Sequence, residues 1–385
     1  MAIPPSKLAH PTIPNADSRW PDLLSTFLRK KKLLGFLFLL IFAGIGAATL
    51  WPFDLFSPNG AGWIPGRSGL RFSTPGVLIS SAPLLVPASE ANNPVSIELW
   101  LRSDEIWSRR AALAVYHSSD ASQFVIRQWN GGLLISRDSH SNAGRAASEK
   151  IYAKDFFRRG QPMFLAIVSS SGGTSIYVDG VWRRSFPNFQ IRAGDLSGQL
   201  ILGTAPASFN PWRGDLYSIS LYLSALSPQE IRLHHDALSQ QLPPSPQSQS
   251  LLAHYPFSES SGRIAHSSVS TAPDLQMPKR FFPPYKPFLQ PPLSQYEPNW
   301  AYYRDVFANI IGFLPFGFLL CAYLANTRFS RHAVFYSFLA GASFSFIIEL
   351  LQGYIPQRDS GFNDVITNGL GALLGALLAH RLRRD

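Results

Sequence analysis

The chain has 385 residues and a formal net charge of +10, a length that leaves room for two domains. Its basic residues flank apolar segments and form no basic stripe among aromatic side chains, so we expect no nucleic-acid partner. The single cysteine, Cys321, lies within an apolar run, and this excludes a disulfide bond within the chain.

The first hydrophobic segment follows a basic N-terminal tail. Residues 1–32 are mostly polar, contain several prolines and end in four basic residues. The uncharged run 33–51 is long enough to span a bilayer as a helix, and the basic residues before it place the N-terminus in the cytoplasm. A cleaved signal peptide is the alternative, but this run is longer than a typical signal-peptide core.

The segment 66–277 predicts an antiparallel β-sandwich. It contains a series of short runs, each of roughly five to eight residues, that are rich in Val, Ile, Phe, Tyr and Trp and are separated by Gly, Ser, Asn or Pro. Apolar and polar residues alternate in 96–101, which is typical of a strand with one buried face. Asp179-Gly180 predicts a tight hairpin turn, and Ser227 begins a short helix with a capping box.

Three further apolar segments lie in the C-terminal part of the chain. The linker 278–300 precedes them, and its many prolines favour an extended, semi-rigid connection. The runs 306–325, 333–351 and 364–380 follow, and each predicts a transmembrane helix. In the last of them Gly371-x-x-x-Gly375 predicts close packing against a neighbouring helix.

The distribution of charge predicts the orientation in the membrane. The loop 328–331 and the C-terminal tail are both basic, and basic flanks of transmembrane helices are cytoplasmic. Four crossings therefore place both termini in the cytoplasm and the β-sandwich, with the loop 356–363, outside. We predict a multi-pass protein of the cytoplasmic (inner) membrane, with the lipid bilayer as its first partner.

Polar side chains crowd the outer ends of the last three apolar segments. Glu349 lies inside an apolar run, where an unpaired charge costs a few kcal/mol. Residues three or four apart share a helix face, and three such pairs occur here. With the loop arginine, the polar residues are Asp305 and Asn309, Glu349 and Gln352, Asp364 and Asn368, and Arg358. We expect Asn309, Glu349 and Asn368 to converge in one outward-facing pocket, with the arginine above it.

The same residues carry a resemblance to the VanZ-like membrane proteins. The motifs are Asn309-Ile-Ile-Gly-Phe-Leu-Pro315-Phe-Gly317, Glu349-x-x-Gln352, Pro356-x-Arg358 and Asp364-Val-Ile-x-Asn368-x-x-Gly371. The likeness covers residues 301–385 and the first hydrophobic helix. It implies a four-helix transmembrane bundle and a link to low-level resistance to the glycopeptide teicoplanin.

The segment between the first and second apolar runs carries a second resemblance. SIELWL (96–101), IYVDG (176–180) and WRGD (212–215) followed by LYLSALSPQEI are similar to the laminin-G and concanavalin A-like jelly roll. The segment 251–262 resembles the strand that usually opens this domain, although here it follows the others. The implied fold class is multi-domain α + β: a four-helix transmembrane bundle (VanZ-like) with an inserted all-β jelly-roll sandwich (concanavalin A-like).

These resemblances imply a lectin-like membrane protein that recognises a cell-envelope glycan or glycolipid and affects glycopeptide susceptibility. Trp129, Trp182 and Trp212 are candidates for stacking on sugar rings, and packing in the core or at the rim of the sandwich is the alternative for each of them. No cofactor is expected. Asp179 and Asp215 are candidate Ca²⁺ ligands, but roles in turns explain both equally well.

Three alternatives remain open for the polar cluster. The first is a membrane enzyme that acts on a lipid-linked envelope precursor, with Glu349 as acid or base. No nucleophile–base pair or metal-ligand cluster stands out in the sequence, which favours a protein that is not an enzyme. The second is a structural clasp, in which Glu349 pairs with Arg358 while Asn309 and Asn368 bridge helices. A small transporter is a third and weaker interpretation.

Overall fold

The chain forms two compact units. The helical unit comprises Met1–Leu55 and Pro287–Asp385, and the β unit comprises Phe56–Lys286. The computed structural model describes residues 26–73, 75–107, 111–118, 123–139, 147–207, 209–239, 250–292, 296 and 299–384. Most of the predicted N-terminal tail, residues 1–25, lies outside this part of the chain. The predicted fold class, a helical bundle with an inserted β-sandwich, is confirmed.

In the described part of the chain, four long apolar helices lie in the helical unit and one shorter α-helix lies in the β unit. The helices are α1 (Lys31–Leu50), α2 (Pro228–Ser239), α3 (Trp300–Leu324), α4 (Ala333–Gly353) and α5 (Phe362–Arg381). By length and composition α1, α3, α4 and α5 are each able to cross a membrane. Because α1 and α3 lie on either side of the β unit in sequence, the sandwich is an insertion into the helical region.

Glycines bring α3 and α5 into direct backbone contact. A Cβ atom added to Gly371 would lie 2.3 Å from the carbonyl oxygen of Ile310, and one added to Gly375 would lie 2.0 Å from that of Leu314. No larger residue fits at either position without a shift of the helices. The Gly-x-x-x-Gly motif therefore serves the close packing that the sequence predicts.

Aromatic rings fill the space between α1, α3 and α4. Phe42 of α1 stacks on Phe344 of α4 with ring centroids 4.3 Å apart, and Phe316 of α3 lies 5.7 Å from Phe344 and 5.0 Å from Phe38. Such pairs contribute about 0.5–1.5 kcal/mol each beyond the area that they bury. This cluster joins the first helix to the C-terminal helices although a whole domain separates them in sequence.

Two antiparallel sheets form the β unit. The strands are β1 (Ala61–Trp63), β2 (Leu70–Phe72), β3 (Leu78–Ser80), β4 (Val95–Ser103), β5 (Ala111–His117), β6 (Gln123–Trp129), β7 (Gly132–Ser139), β8 (Ala147–Ala153), β9 (Pro162–Ser170), β10 (Gly173–Val178), β11 (Val181–Phe186), β12 (Gln199–Leu202), β13 (Gly214–Tyr222), β14 (Leu251–Tyr255), β15 (Ile264–Ala265) and β16 (Leu275–Gln276). One sheet has the order β1-β2-β13-β4-β9-β10-β11, with β14 also paired to β13. The other has the order β15-β16-β3-β12-β5-β6-β7-β8.

The inward faces of the two sheets share one apolar core. In β4 the alternating residues Ile97, Leu99 and Leu101 are fully buried within it, as the sequence pattern predicts. The late strand β14 pairs with β13, where Ile219 lies opposite Tyr255. The segment that resembles a displaced opening strand therefore supplies β14, an antiparallel neighbour of β13 in the first sheet.

Helix α2 packs against the outer face of the first sheet. It begins with the predicted capping box, because the Ser227 N–H donates to Glu230 Oε2 (2.7 Å) and the Glu230 N–H donates to Ser227 Oγ (3.3 Å). Beneath the helix, the buried Glu98 accepts hydrogen bonds from His234 Nδ1 (2.8 Å) and from the Tyr222 hydroxyl (3.1 Å). The hydrogen bond to Glu98 raises the pKa of His234 above its ordinary value.

Candidate functional site

The ends of α3, α4 and α5 enclose a polar pocket of about 570 Å³. Amide and carboxylate side chains supply most of its lining. The lining residues are Asn299, Ala301, Tyr302, Asp305, Val306, Ala308, Asn309, Gln352, Arg358, Asp359, Asn363 and Asp364. Five residues of the predicted cluster are thus brought together here, whereas Glu349 and Asn368 are not part of the lining.

Asn309 bridges α3 and α5 at the wall of the pocket. Its Nδ2 donates to Asp364 Oδ1 (2.9 Å) and to Thr367 Oγ1 (3.2 Å). The Thr367 hydroxyl in turn donates to the carbonyl oxygen of Asn363 one turn back in α5 (3.0 Å). These bonds hold the Asp364 carboxylate in place at the start of α5, where the partial positive charge of a helix N-terminus favours an acidic group.

Gln352 and Arg358 fasten the C-terminal end of α1. Gln352 Nε2 donates to the carbonyl oxygen of Thr49 (2.9 Å), and Arg358 donates to those of Trp51 (3.0 and 3.2 Å) and Ala48 (3.3 Å). The last carbonyl groups of a helix have no partner within the helix. A cation there also interacts favourably with the partial negative charge of the helix C-terminus. Both side chains therefore hold α1 against the end of α4 and the loop that follows it.

Glu349 holds the loop between α4 and α5. Its side chain is 1% exposed, and Oε2 accepts the backbone N–H of Gly361, the residue that precedes α5 (2.8 Å). The Ser360 hydroxyl donates to the Glu349 carbonyl oxygen (2.7 Å). The predicted ion pair between Glu349 and Arg358 is wrong. Among the described residues Glu349 forms no ion pair, because a backbone donor takes its carboxylate and α1 carbonyl groups take the arginine.

Asn368 links α5 to α4 below the pocket. Its Nδ2 donates to Ser345 Oγ (2.9 Å), and the Ser345 hydroxyl faces the carbonyl oxygen of Asp364 (3.4 Å). Asn368 is 5% exposed, and its Oδ1 has no hydrogen-bond partner in the described part of the chain. Asn309 and Asn368 thus bridge helices as the clasp interpretation predicts, while neither Glu349 nor Asn368 lines the pocket.

The pocket carries more acidic than basic groups. Asp305, Asp359 and Asp364 line it beside one cation, Arg358, which is bound to α1 carbonyl groups. Arg304 pairs with Asp305 at 3.0 Å, but both side chains are 65% exposed, and such surface pairs contribute little. This arrangement offers hydrogen-bond acceptors to a polar group that carries hydroxyl or amine donors.

The three candidate tryptophans of the β unit lie in different environments. Trp182 is 57% exposed on β11, and its Nε1 donates to Ser185 Oγ (3.0 Å). Trp129 is partly buried and packs on Tyr152 with ring centroids 5.3 Å apart. Trp212 is fully buried and donates from Nε1 to Gln128 Oε1 (3.0 Å), so its candidacy for sugar stacking is wrong and the core-packing alternative is correct.

The two candidate calcium ligands do not form a site that suits calcium. Asp179 lies in the β10–β11 turn at φ +53° and accepts a backbone N–H of β9. Asp215 is 1% exposed and pairs with Arg67 (3.2 Å), Arg71 (2.8 Å) and Arg102 (2.9 Å). A carboxylate surrounded by three guanidinium groups has no coordination free for a cation. Within the described ranges no group of three or more His, Cys, Asp or Glu residues is arranged to hold a metal ion.

Two family descriptions match the chain. Residues 77–232 match the concanavalin A-like lectin/glucanases superfamily, which agrees with the two-sheet architecture of the β unit. Residues 243–383 match the VanZ/LLP1 family, and this range contains α3, α4, α5 and the polar pocket. Residues 243–383 are therefore similar to the VanZ/LLP1 family and residues 77–232 to the concanavalin A-like superfamily, and both resemblances seen in the sequence are confirmed over these ranges.

Several solved structures resemble part of the chain at low sequence identity. A Bacteroides ovatus ATCC 8483 protein described as carbohydrate binding has 12% identity and a TM-score of 0.38, and the match covers 56% of this chain and 58% of that chain. A heptameric SAP-like pentraxin from Limulus polyphemus has 13% identity, a TM-score of 0.30 and coverages of 46% and 82%. The CBM40 of a Ruminococcus gnavus IT-sialidase, bound to α2,3 sialyllactose, has 13% identity, a TM-score of 0.31 and coverages of 43% and 96%. No curated protein matches the chain.

Proposed function

We propose that this chain is an integral membrane protein that recognises a glycan or glycolipid of the cell envelope through its β unit. One observation carries the proposal: a domain of the concanavalin A-like lectin/glucanases superfamily is inserted between the first apolar helix and the other three. A binding domain tethered to a membrane by helices on both sides meets ligands near that membrane. Envelope saccharides, whether free or linked to lipid, are the ligand class that fits both a lectin-like domain and its attachment to a membrane.

The proposal includes an orientation. The β unit lies outside the cytoplasm, and both termini lie on the cytoplasmic side of the inner membrane. Basic residues support this arrangement because they precede α1, occupy the loop 328–331 between α3 and α4, and follow α5. The polar pocket then opens on the outer side, at the ends of the helices that are remote from these basic flanks.

The polar pocket is proposed as a second binding site, for a lipid-linked headgroup. Its carboxylate and amide lining accepts hydrogen bonds from the hydroxyl or amine groups of a lipid-linked headgroup, and its position at the helix ends is the depth at which headgroups lie. The enzyme alternative has weaker support. A catalytic Glu349 would need a carboxylate that reaches the substrate, whereas this carboxylate is buried against the Gly361 N–H. An effect on teicoplanin susceptibility rests on the VanZ resemblance alone.

A binding experiment with two forms of the chain tests the proposal. The full chain in nanodiscs is exposed to soluble peptidoglycan fragments and envelope polysaccharides, and a form in which a short linker replaces residues 56–286 serves as the control. We expect saccharide binding by the full chain and none by the shortened form. Binding by both forms to the same extent would assign the saccharide to the helical unit, and no binding by the full chain to any saccharide would overturn the proposal.

A further inference from the structure

A second pocket lies within the β unit, between the loop that follows β8 and the hairpin of β10 and β11. Its volume is about 260 Å³, and polar groups make up most of its surface. The lining residues are Lys154, Asp155, Phe156, Arg158, Val178, Arg183 and Arg184. Four of these residues are cations and one is an acid, so the pocket, hereafter the basic pocket, is strongly positive.

The positive charge of the basic pocket is only partly offset by the one acid in its lining, Asp155. Across the described residues none of its four cations forms an ion pair, and all four are exposed. Other arginines of the same unit behave differently, since Arg71 and Arg102 each pair with Asp215 and Asp104. The four cations outnumber the single acid, Asp155, and like charges repel one another, so an anionic ligand in the pocket would reduce that repulsion.

The basic pocket has a fixed framework. Two buried apolar side chains, Phe156 and Val178, contribute to its lining and are 9% and 5% exposed. The tight turn at Asp179 and Gly180, with φ values of +53° and +74°, joins β10 to β11. In the paired strands Arg184 lies opposite Ile176. A cationic rim over apolar side chains matches a sugar ring, which presents C–H groups on its faces and bears its charge on a substituent.

We propose that the basic pocket binds an anionic saccharide, one that carries carboxylate or phosphate groups. The proposal rests on the proposed function and specifies its ligand class and its site. Arg183 and Arg184 pair with the anionic substituent, because guanidinium groups donate paired hydrogen bonds to carboxylate and phosphate oxygens. Trp182 precedes Arg183 in β11 and is exposed, and although it does not line the pocket it offers an aromatic surface on the same strand.

The test compares charged and neutral forms of one saccharide on the full chain in nanodiscs of phosphatidylcholine. The acidic probes are a galacturonic acid tetrasaccharide, a hyaluronan tetrasaccharide and a glycerol phosphate oligomer that carries glucose. The neutral probes are the methyl esters of the first two. We expect at least one acidic probe to bind about tenfold more tightly than its neutral counterpart, or than glucose for the phosphate probe, and added salt to weaken that binding.

Two double variants assign the site. Arg183→Ala with Arg184→Ala removes two cations from the pocket and should weaken binding of the acidic probe about tenfold. Arg263→Ala with Lys279→Ala removes two exposed cations elsewhere in the β unit and should leave binding unchanged. Equal weakening by both variants, or by neither, would overturn the assignment to the basic pocket.

The outcomes separate this proposal from the function on which it rests. Binding of neutral saccharides only would overturn the anionic ligand class and leave glycan recognition in place, and binding of no saccharide would overturn both. A final arm uses vesicles of phosphatidylcholine with and without phosphatidylglycerol. If the basic pocket recognises the phosphatidylglycerol vesicles and no acidic saccharide, its ligand is a lipid headgroup and the saccharide proposal fails.

Discussion

Replacing Gly375 with alanine perturbs the contact between α3 and α5 at a point where the two backbones touch. The added Cβ would lie 2.0 Å from the Leu314 carbonyl oxygen and 2.8 Å from the Phe318 nitrogen, and real Cβ atoms essentially never approach closer than 3.0 Å. Both obstacles are backbone atoms, so a helix must move. Overpacking costs roughly 1–3 kcal/mol, and alanine regains about 0.5–1 kcal/mol of helix propensity relative to glycine. We expect a net loss of about 1–2 kcal/mol in the free energy of unfolding.

Gly312 provides the matched control for this substitution. It lies in α3, and a Cβ added there would meet no described atom within 4 Å beyond its chain neighbours and the backbone of its own helix. Gly312→Ala therefore changes helix propensity alone and should raise stability by up to about 1 kcal/mol. Unfolding of the full chain in mixed micelles with increasing dodecyl sulfate, followed by far-ultraviolet circular dichroism, measures both variants. If Gly375→Ala proves as stable as Gly312→Ala, direct backbone contact does not hold these helices together.

The membrane orientation, the polar cluster and α2 each give one further prediction. In a cysteine-free background, Asn92→Cys should react with an impermeant maleimide in intact cells and Thr327→Cys should not; the reverse would overturn the orientation. Glu349→Gln keeps an acceptor oxygen and should change stability little, whereas Glu349→Leu leaves a buried N–H unpaired and should cost about 1–3 kcal/mol, so equal losses would refute the capping role. The pKa of His234 is raised by Glu98, so its stabilisation is present below about pH 6.5 and is lost as pH rises through the higher folded-state pKa. Raising the pH from about 6 to 9 should therefore lower the melting temperature of the β unit more in the native chain than in His234→Gln.

The sequence predicts a helix or strand correctly where the spacing of its apolar residues matches the face that its neighbours bury. The apolar run 333–351 falls on the helix Ala333–Gly353, and the alternation in 96–101 falls on β4, because burial on a helix stripe or a strand face is written into the spacing of apolar residues. Strand β8 lacks that signal. Its first residues are Ala, Ser, Glu and Lys, and it pairs through its whole length with β7 at the edge of the second sheet. Tertiary pairing there outweighs a weak strand propensity.

The contacts of the site residues are harder to predict than their burial. The sequence shows that Glu349 lies within an apolar segment, and the structure buries it. Its partner is a backbone N–H, and the partners of Arg358 are backbone carbonyl oxygens that lie 307 and 310 positions earlier in the chain. Every residue carries a backbone donor or acceptor, so such partners leave no mark on the sequence. The burial of Trp212 is not predicted for a similar reason. Its hydrogen-bond acceptor, Gln128, lies 84 positions away in the sequence.

These partners distinguish the residues of the polar cluster that hold the fold from those that are open to a ligand. Glu349 and Arg358 are the ionisable residues that the sequence emphasises, and each side chain hydrogen-bonds to backbone groups at a helix end, the N-terminus of α5 and the C-terminus of α1. Hydrogen bonds of this kind hold the loop between α4 and α5 in position. The pocket above them is then lined by a rigid set of acceptors, to which Asp305, Asp359 and Asp364 contribute. A ligand of this pocket would meet those carboxylates first, and the buried Glu349 would act on it only through the backbone that it holds.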